Sequence, residues 1–418
     1  MILAPIAAGQ LAPLRALLNT MTSLPGHADP ANDLVPFGRF DTLHVARFVV
    51  LDDETLGDLK AYGTSFPDAP VYLAFLGDCD GAAGDLLDAL ARDCGSGLRR
   101  IFSHCQGFVD DTDLRRWMDA RNVGSATQYV NWIGRSVRHV REEAALHEAL
   151  AVKLRTIPTG APREVRERLK SEAAADRAAL TPLPPAPTAW VIADIADLVL
   201  GVIILLVLAP FLFLYAPFFL IILRAREASD AVICPPPSLA KMALIGSADD
   251  HDVTNAFSAL GSLKPGLFRL TTVLFVLWLL NWANRHIYRR GRLARVGTIH
   301  FARWVLIDNN RRLLFASNYD GDLDSYMDDF INKAGFGLNL VFGNGVGYPR
   351  TKFLIGAGAG DEEDFKFFLR RHQLYTDVWY KAYPGLTTFD LARNADIRTG
   401  FERGEMSESD ITQWLALI

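Results

Sequence analysis

The chain has 418 residues, of which 50% are hydrophobic and 22% charged, and its formal net charge at pH 7 is −5. This length allows two domains with separate cores, and the acidic balance argues against nucleic acid as a partner. The four cysteines show no CxxC spacing, so the sequence indicates neither a zinc site nor a disulfide framework.

The first part of the chain, residues 1–150, has the patterns of an α+β module. Apolar or β-branched runs predict strands, and leucines at helical spacing predict helices between them. In chain order these elements are a strand in Met1–Ala7, a helix in Gln10–Thr20, strands in Leu43–Leu51 and Val71–Leu76, a helix in Asp85–Ala91 and a strand in Leu98–His104. The order β-α-β-β-α-β is that of a ferredoxin-like unit. The helices expected to trail this unit are Asp113–Asn122 and Ala126–His139.

A linker and a hydrophobic segment follow the first module. Residues 151–188 are basic and then rich in proline, which predicts a stiff linker. Residues 189–226 form the hydrophobic segment, in which Leu198–Leu223 carries no charge and is long enough to cross a bilayer. Pro210 and Pro217 favour kinks within it. The aromatic residues expected to contact lipid here are Phe211, Phe213, Phe218 and Phe219.

After a connector of residues 227–254, residues 255–418 repeat the pattern of the first module. Thr42–Asp52 and Thr298–Asp308 are identical at six of eleven positions, and Tyr72–Phe108 matches Arg312–Tyr348 without gaps. The helices expected to trail this copy are Asp364–His372 and Tyr375–Tyr383. We therefore predict an α+β fold in which two ferredoxin-like β-α-β-β-α-β repeats pair into an α+β barrel, with a hydrophobic membrane-inserting segment between them.

A second apolar stretch, Leu270–Trp282, occupies the position of the first helix of the second module. Its length fits either a core helix or a segment inserted in a membrane, and the sequence leaves both open. Trp278 and Trp282 near its end are further candidates for contact with lipid, because aromatic residues favour the headgroup zone. The basic residues that follow, and that suit a cytoplasmic leaflet, are Arg285, Arg289, Arg290, Arg292 and Arg295.

The repeat constrains how the chain meets the membrane. Two modules that pair must lie in one compartment, whereas a single crossing between them would separate them. We therefore predict a membrane-associated protein with both modules on the cytoplasmic side, in agreement with the basic residues after Leu270–Trp282. A segment that bends back at its prolines, or stays in one leaflet, is favoured, and a second crossing through Leu270–Trp282 is the alternative.

Three residue types recur at equivalent positions of the two copies and are the candidates for binding a ligand. They are His44, Arg47 and Asp80 in the first copy and His300, Arg303 and Asp320 in the second. An imidazole in a barrel interior could hydrogen-bond a ligand or bind a metal, for which His300 is the candidate. An arginine could bind an anionic group, or pair with Asp80 or Asp88 in one copy and Asp320 or Asp328 in the other. In the structural alternative each histidine ties its strand to the preceding helix, and each aspartate caps the helix that follows it.

Gly77-Asp-Cys-Asp-Gly81 has the form G-x-x-D-G. In this pattern, and in the duplicated architecture, the chain resembles the dye-decolourising peroxidases. The resemblance implies a haem cofactor with Asp80 on its distal side, and His104, His300 and His372 are candidates for the iron ligand. The second copy, Ser317-Asn-Tyr-Asp-Gly321, lacks the leading glycine. The His-[Val/Phe]-Ala-Arg strand and the later Asp-Gly pair also resemble those of bacterial membrane-associated proteins of uncharacterised function, which implies a fold but no particular chemistry.

These patterns predict a membrane-attached protein that binds a hydrophobic or amphipathic small molecule from the lipid phase in a barrel cavity. One alternative is a haem-dependent, peroxidase-like oxidoreductase. Another is a non-catalytic scaffold that docks a partner enzyme at the membrane. Membrane lipid is the expected partner, and the sequence leaves the formation of a homo-oligomer open.

Overall fold

The computed structural model describes residues 1–175, 180–288, 293 and 295–418. The protein is mixed α+β, as the sequence predicts, and contains a six-stranded and a four-stranded sheet. The strands are β1 (Ile2–Pro5), β2 (Thr22–Leu24), β3 (His27–Ala28), β4 (Leu43–Leu51), β5 (Tyr72–Cys79), β6 (Thr127–Val130), β7 (Thr254–Ser262), β8 (Ile299–Ile307), β9 (Arg312–Asp320), β10 (Thr351–Lys352), β11 (Gly356–Ala357) and β12 (Thr376–Lys381).

The helices cover these sheets and form a separate bundle beside them. They are α1 (Leu11–Asn19), α2 (Ala83–Asp93), α3 (Gly95–Phe102), α4 (Leu114–Ala120), α5 (Val137–Leu154), α6 (Pro162–Ala175), α7 (Thr188–Ser229), α8 (Leu239–Gly246), α9 (Leu267–His286), α10 (Leu323–Phe342), α11 (Glu362–His372), α12 (Thr388–Glu402) and α13 (Glu408–Leu415). The bundle consists of α5, α6, α12 and α13, so the segment predicted as a linker contributes α6 to it.

Each of the two large sheets contains one strand from the other half of the chain. The first sheet has the order β1-β5-β4-β12-β3-β2, and the second has the order β6-β8-β9-β7. β6 pairs antiparallel with β8, and β12 pairs antiparallel with β4. The register is equivalent in the two sheets, because Tyr129 lies opposite Ala302 and Tyr380 lies opposite Ala46. This exchange ties both halves of the chain into one body.

The segment Leu98–His104, which the sequence predicts as a strand, is mostly helical. It belongs to α3, whose buried apolar residues recur at helical spacing. Gly97 lies inside this helix, although glycine disfavours helical backbone. It allows a close contact within the core, since a Cβ at this position would overlap the backbone carbonyl of Leu34.

Two segments that the sequence predicts as trailing helices contain strands. Ala126–His139 is not one helix, because β6 forms in its first part and α5 begins only at Val137. Tyr375–Tyr383 likewise contains β12 instead of a helix. The helices predicted in Asp113–Asn122 and Asp364–His372 are confirmed as α4 and α11, with ends that differ by one or two residues.

An apolar layer lies between the two large sheets. Its buried members are Val49, Leu51, Ala74 and Leu76 from the first sheet and Leu260, Val305, Ile307, Leu314 and Ala316 from the second. Alternate residues of the same strands, such as Phe48 and Phe75, point the other way into a core with α1 to α4. The opposite face of the second sheet packs in the same manner against α9, α10 and α11. Each sheet is therefore buried on both faces.

α7 is one continuous helix of 42 residues that passes through both Pro210 and Pro217. The expectation that the chain bends back at these prolines is therefore wrong. At about 1.5 Å per residue the helix is roughly 60 Å long, about twice the thickness of the hydrocarbon core of a bilayer. α7 and the 20-residue α9 are each long and apolar enough to cross a membrane, by length and composition alone.

Candidate functional site

One side of α7 presents an extended apolar surface to solvent. The sequence-predicted lipid contacts Phe211, Phe213 and Phe218 have exposed fractions of 66%, 81% and 65%. Exposed aliphatic side chains such as Leu206 and Ile221 continue the same surface on either side of them. Monomeric soluble proteins rarely expose apolar patches of this extent, and such patches mark contacts with proteins or membranes. We call this surface the outer face of α7.

The opposite side of α7 packs antiparallel against α9. Near one end of the pair, the Trp282 indole lies against Gly201, where a Cβ would overlap it. Near the other end, the rings of Phe219 and Phe268 lie 5.2 Å apart. Trp282 and Phe219, which the sequence predicts as contacts with lipid, are therefore packing residues between two helices. Trp278, the other residue of α9 that the sequence predicts as a contact with lipid, is partly buried and stacks on Phe275.

Polar contacts fix α7 beyond each end of its uncharged section. Asp197 lies 2.9 Å from Nε2 of His286 and 3.3 Å from Arg285 at the end of α9. At the C-terminal end, Glu227 is fully buried and accepts hydrogen bonds from Thr351 Oγ1 and from the backbone N–H groups of residues 353 and 354. These hydrogen bonds lower the pKa of Glu227 although burial alone would raise it. The uncharged section of α7 is thus held at both ends.

α9 is in turn part of the core of the second sheet. Thr127 of β6 donates a hydrogen bond of 2.7 Å to the carbonyl of Leu277, and Asn284 donates one of 3.2 Å to the carbonyl of Gln128. Val273 and Leu277 are buried in the same core. Of the two alternatives that the sequence leaves open for Leu270–Trp282, the core helix agrees with these contacts. Of the basic residues that follow, Arg285 and Arg295 are described, and Arg289, Arg290 and Arg292 lie outside the described residues.

The first of the two polar pairs that recur in the repeat joins His44 to Asp80. Nε2 of His44 lies 2.9 Å from Asp80 Oδ1, and Nδ1 lies 3.1 Å from the hydroxyl of Tyr383. The other Asp80 oxygen accepts a hydrogen bond of 3.0 Å from the backbone N–H of Val137, at the start of α5. The contacts are satisfied when Tyr383 donates to Nδ1 and the Nε2–H group donates to Asp80. His44 thus connects two strands, a helix and a tyrosine.

The second pair, His300 and Asp320, is built in the same way. Nε2 of His300 lies 2.7 Å from Asp320 Oδ1, to which Thr254 Oγ1 also donates. The other Asp320 oxygen accepts from the backbone N–H of Thr388, at the start of α12, and from the Thr388 hydroxyl. Burial raises the pKa of Asp320, but the hydrogen bonds from His300 and its other partners outweigh burial and leave the pKa lowered. Burial also lowers the pKa of His300.

The two aspartates do not cap the helices that follow them in sequence. The residue before α2 is Ala82, which makes no capping hydrogen bond with its side chain, and Asp322 caps α10. Asp80 and Asp320 instead accept hydrogen bonds from the first residues of α5 and α12. Gly81 and Gly321 have φ of +77° and +86°, as expected for the turn after each strand.

The two arginines reach across the layer between the sheets. Arg303 of β8 binds the carbonyl of Gly77 and pairs with the Asp78 carboxylate. Arg47 of β4 donates to the carbonyls of residues 257 and 317, to Ser258 Oγ and to the Asn318 side chain. The partners suggested by the sequence, Asp80 or Asp88 and Asp320 or Asp328, are therefore wrong. Asp88 pairs with Arg115, and Asp328 pairs with Lys366.

The space beside His44 and His300 does not fit haem. His44 and His300 line one cavity of about 20 Å³ together with residues such as Trp132 and Tyr383. A haem ligand must offer a free ring nitrogen to the iron, but both nitrogens of His44 are hydrogen-bonded, and Nε2 of His300 faces Asp320. For the other candidates for the iron ligand, Nδ1 of His372 faces the carbonyl of Phe368, and Nδ1 of His104 faces the side chain of Gln10. A hydrogen bond at one ring nitrogen is also the arrangement of histidines that bind a metal through the other, so these contacts do not separate the two roles.

The cavities beside the candidate residues are small. The space between the sheets near Arg47 and Arg303 is about 10 Å³, enough for one water molecule. A larger cavity of about 210 Å³ lies beside α8 and is lined by residues such as Asp249 and Gln373, neither of which stands out in the sequence. Comparisons with protein-family models, curated proteins and solved structures found no match for this chain.

Proposed function

We propose that this protein is a membrane-surface protein that lies on one leaflet with the outer face of α7 in the lipid. The observation that carries this proposal is the two-sided environment of α7. One side is fixed to the body along the helix, at Asp197, Gly201, Phe219 and Glu227. The other side exposes large apolar side chains over the same length. Interfacial helices bury such an apolar face at the boundary between headgroups and acyl chains.

A crossing perpendicular to the membrane is disfavoured by the partners of α7. Its uncharged section runs beside α9. Two hydrogen bonds join α9 to β6, one donated by Thr127 of β6 and one donated by Asn284 of α9. A crossing would therefore carry part of the second sheet into hydrocarbon, together with buried polar groups of that sheet. An orientation in the membrane plane leaves the body in water and places only the outer face of α7 in lipid.

The duplicated ferredoxin-like fold and the cytoplasmic location, both predicted from the sequence, are also part of this proposal. The equivalent registers at Tyr129 and Tyr380 and the equivalent pairs at His44 and His300 support a duplicated ferredoxin-like unit whose copies pair. Because the copies exchange strands, both lie on one side of the membrane. The basic residues after α9 favour the cytoplasmic side.

We place the hydrophobic or amphipathic ligand at the outer face of α7 instead of in a barrel cavity. The reason is space, since the cavity of about 10 Å³ between the sheets could not admit such a molecule without displacing Arg47 or Arg303. Lipid is therefore the ligand class that the exposed surface fits best. The scaffold for a partner enzyme is compatible with this attachment, and stoichiometric co-purification of one partner would support it.

A vesicle flotation experiment tests the attachment. The variant Phe213→Asp places a charge at the most exposed of the predicted lipid contacts, where the phenylalanine is 81% exposed. Burial of a phenylalanine contributes roughly 1.5–3 kcal/mol, so we expect at least a tenfold loss of partitioning into vesicles that contain anionic lipid. The matched control is Phe389→Asp on α12, where the phenylalanine is 70% exposed but lies on another helix.

Two results would decide the matter. The proposal requires that Phe213→Asp weakens flotation and that Phe389→Asp leaves it unchanged. Equal flotation of the wild type and Phe213→Asp would remove α7 as the membrane contact. Circular dichroism of both variants would check that they are folded.

A further inference from the structure

The short hairpin formed by β10 and β11 presents two large apolar side chains to solvent. The two strands pair antiparallel over two residues each. At the tip between them, Phe353 and Ile355 are 38% and 61% exposed, whereas Leu354 between these two is buried. A single exposed apolar residue is ordinary, so the surroundings of this pair decide what it means.

The backbone at the tip has a conformation that bulky residues rarely adopt. Phe353 and Leu354 have φ of +59° and +54°. The Glu227 carboxylate of α7 supports this conformation, because its two oxygens accept hydrogen bonds of 2.9 and 2.8 Å from the two backbone N–H groups. From the other side, the Asn339 side chain of α10 donates to the carbonyls of residues 355 and 357. The tip is therefore held in the one arrangement that leaves its two apolar side chains in solvent.

The hairpin lies beside the outer face of α7. Ile221 is part of that face, and Arg224 follows it by three residues, so the two side chains are neighbours on the helix surface. The guanidinium carbon of Arg224 lies 6.0 Å from the centre of the Phe353 ring. The exposed apolar surface of α7 thus continues, past one arginine, onto the tip of the hairpin.

Two basic groups border this apolar tip. Lys352 is exposed, and its ammonium group makes no hydrogen bond or ion pair with any residue that the structure describes. Arg224 uses only Nη1 for its contacts with Glu227 and with the carbonyl of residue 351, which leaves further N–H groups of its guanidinium for a ligand. The exposed acidic residues Glu362 and Glu363 follow β11, whereas Lys352 lies on β10. Exposed apolar groups beside such basic groups fit the surface of a membrane that contains anionic lipid.

We propose that the β10–β11 hairpin is a second membrane contact that recognises anionic phospholipid. Phe353 and Ile355 enter the boundary between headgroups and acyl chains, and Lys352 and Arg224 bind a lipid phosphate in the headgroup layer. Both basic side chains suit this role, because each forms charge-assisted hydrogen bonds with phosphate oxygens. This inference rests on the membrane attachment proposed above and adds the class of lipid to it.

Vesicle flotation of the full-length protein tests the apolar part of the contact. Ile355→Asp should lower partitioning at least about tenfold, into vesicles of phosphatidylcholine and into vesicles that also contain phosphatidylglycerol, because it replaces a lipid-buried side chain by a charge. The matched control is Val109→Asp in the loop between α3 and α4. That valine is 59% exposed but lies beside the core of α1 to α4, on the other side of the body.

Lys352→Gln tests the recognition of the headgroup. One basic residue near an anionic surface contributes about fivefold to binding. The variant should therefore reduce the preference for vesicles with phosphatidylglycerol over phosphatidylcholine alone by about this factor, and the reduction should shrink in high salt. The control is Arg116→Gln, which removes the same charge from an exposed position on α4.

The results separate this inference from the attachment through α7. If Phe213→Asp lowers flotation and Ile355→Asp does not, the attachment stands and the hairpin is not a membrane contact. If neither variant lowers flotation, both proposals are wrong. An equal preference for phosphatidylglycerol in Lys352→Gln and Arg116→Gln would overturn the recognition of anionic lipid.

Sedimentation in detergent addresses the other occupant that the hairpin could have, a second copy of the chain. The proposal predicts the same sedimentation for the wild type and Ile355→Asp. A wild-type dimer that Ile355→Asp converts to a monomer, with unchanged flotation, would make the hairpin a contact between copies and would overturn the inference. Circular dichroism of each variant checks that it is folded.

Discussion

The Trp282 indole lies against the backbone of Gly201 and fills the space that any larger side chain there would occupy. This contact joins α7 to α9, and it needs a glycine on one helix and a broad aromatic surface on the other. Since α9 belongs to the core of the second sheet, the contact also fixes α7 to the folded body.

Gly201→Leu should therefore loosen α7. Forcing extra atoms into a packed site costs roughly 1–3 kcal/mol, so we expect a lower unfolding midpoint and faster proteolysis of the segment before α7. Ala209→Leu adds similar apolar volume on the exposed side of the same helix and should have almost no effect. Equal destabilisation by both variants would contradict the docking described here.

The two His–Asp pairs should differ in their contribution to stability. The Asp320 side chain is 8% exposed and accepts hydrogen bonds from His300, Thr254 and Thr388, whereas Asp80 is 24% exposed and has fewer partners. Removing a buried acceptor leaves its donors unsatisfied at about 1–3 kcal/mol for the group. We expect Asp320→Ala to reduce the free energy of unfolding by about 3 kcal/mol and Asp80→Ala by about half as much. Denaturant titration measures both, and a larger loss in Asp80→Ala would contradict this ranking.

Much of the local structure could be predicted from the sequence because it depends on local patterns. The β-branched and aromatic residues of Leu43–Leu51 and the leucine spacing in α2 are sufficient, and these elements form where expected. The segment Leu98–His104 was harder because Gly97 resembles a helix breaker. The reason for that glycine is the distant Leu34 backbone, which no local pattern reveals.

Contacts between distant parts of the chain also explain why the sequence does not predict the exchanged strands or the partners of the candidate site residues. β6 and β12 are short, and each is stabilised by a strand from the other half of the chain. His44 and His300, which the repeat aligns, each pair with the aspartate that the repeat also aligns. The repeat could not indicate that Arg303 reaches Asp78, because that contact crosses between two sheets.

The arginines between the sheets make a further test possible. Arg303 faces a carboxylate at Asp78, but Arg47 faces the neutral Asn318 at the equivalent position. Burial lowers the pKa of Arg47 to about 9, which reflects the cost of its buried charge. Asp78 lies near enough to stabilise the Arg47 charge in part, but the groups that accept hydrogen bonds from this guanidinium are all neutral. A carboxylate in direct contact should therefore help, and we expect Asn318→Asp to stabilise the fold by about 1–3 kcal/mol.

The reciprocal variant provides the control for this pair. Asp78→Asn removes the carboxylate from Arg303 and should destabilise the fold by a few kcal/mol, roughly 3–5 for a buried pair. Chemical denaturation in one detergent compares the two variants with the wild type. A loss of stability in Asn318→Asp would show that the polar oxygens around Arg47 already compensate its charge.

Asp377 predicts a dependence of stability on pH. It is buried on β12, where it accepts a hydrogen bond of 2.9 Å from the backbone of Val50, and burial raises its pKa to about 6. The folded state therefore retains a proton that the unfolded state, with a pKa of about 3.9, has lost. The contribution of this group is full below about pH 4 and is lost as the pH rises through about 6.

Asp377→Asn should remove this dependence. The variant keeps an acceptor for Val50 but cannot ionise, so it should be more stable than the wild type at pH 7.5 by up to about 3 kcal/mol. The difference should disappear near pH 4.5. An unchanged difference between these two pH values would show that the carboxylate stays ionised in the folded protein.

The orientation of α7 is the central claim, and cysteine labelling at its two ends tests it most directly. Ala189→Cys and Ala228→Cys place thiols at exposed positions near the two ends of the helix, in a background with Cys79 and Cys234 replaced by serine. A helix in the plane of the cytoplasmic leaflet predicts that an impermeant maleimide labels neither position in intact cells and both positions after permeabilisation. Labelling of one end from outside, with the other end protected until the cells are opened, would show that α7 crosses the membrane and would contradict the account.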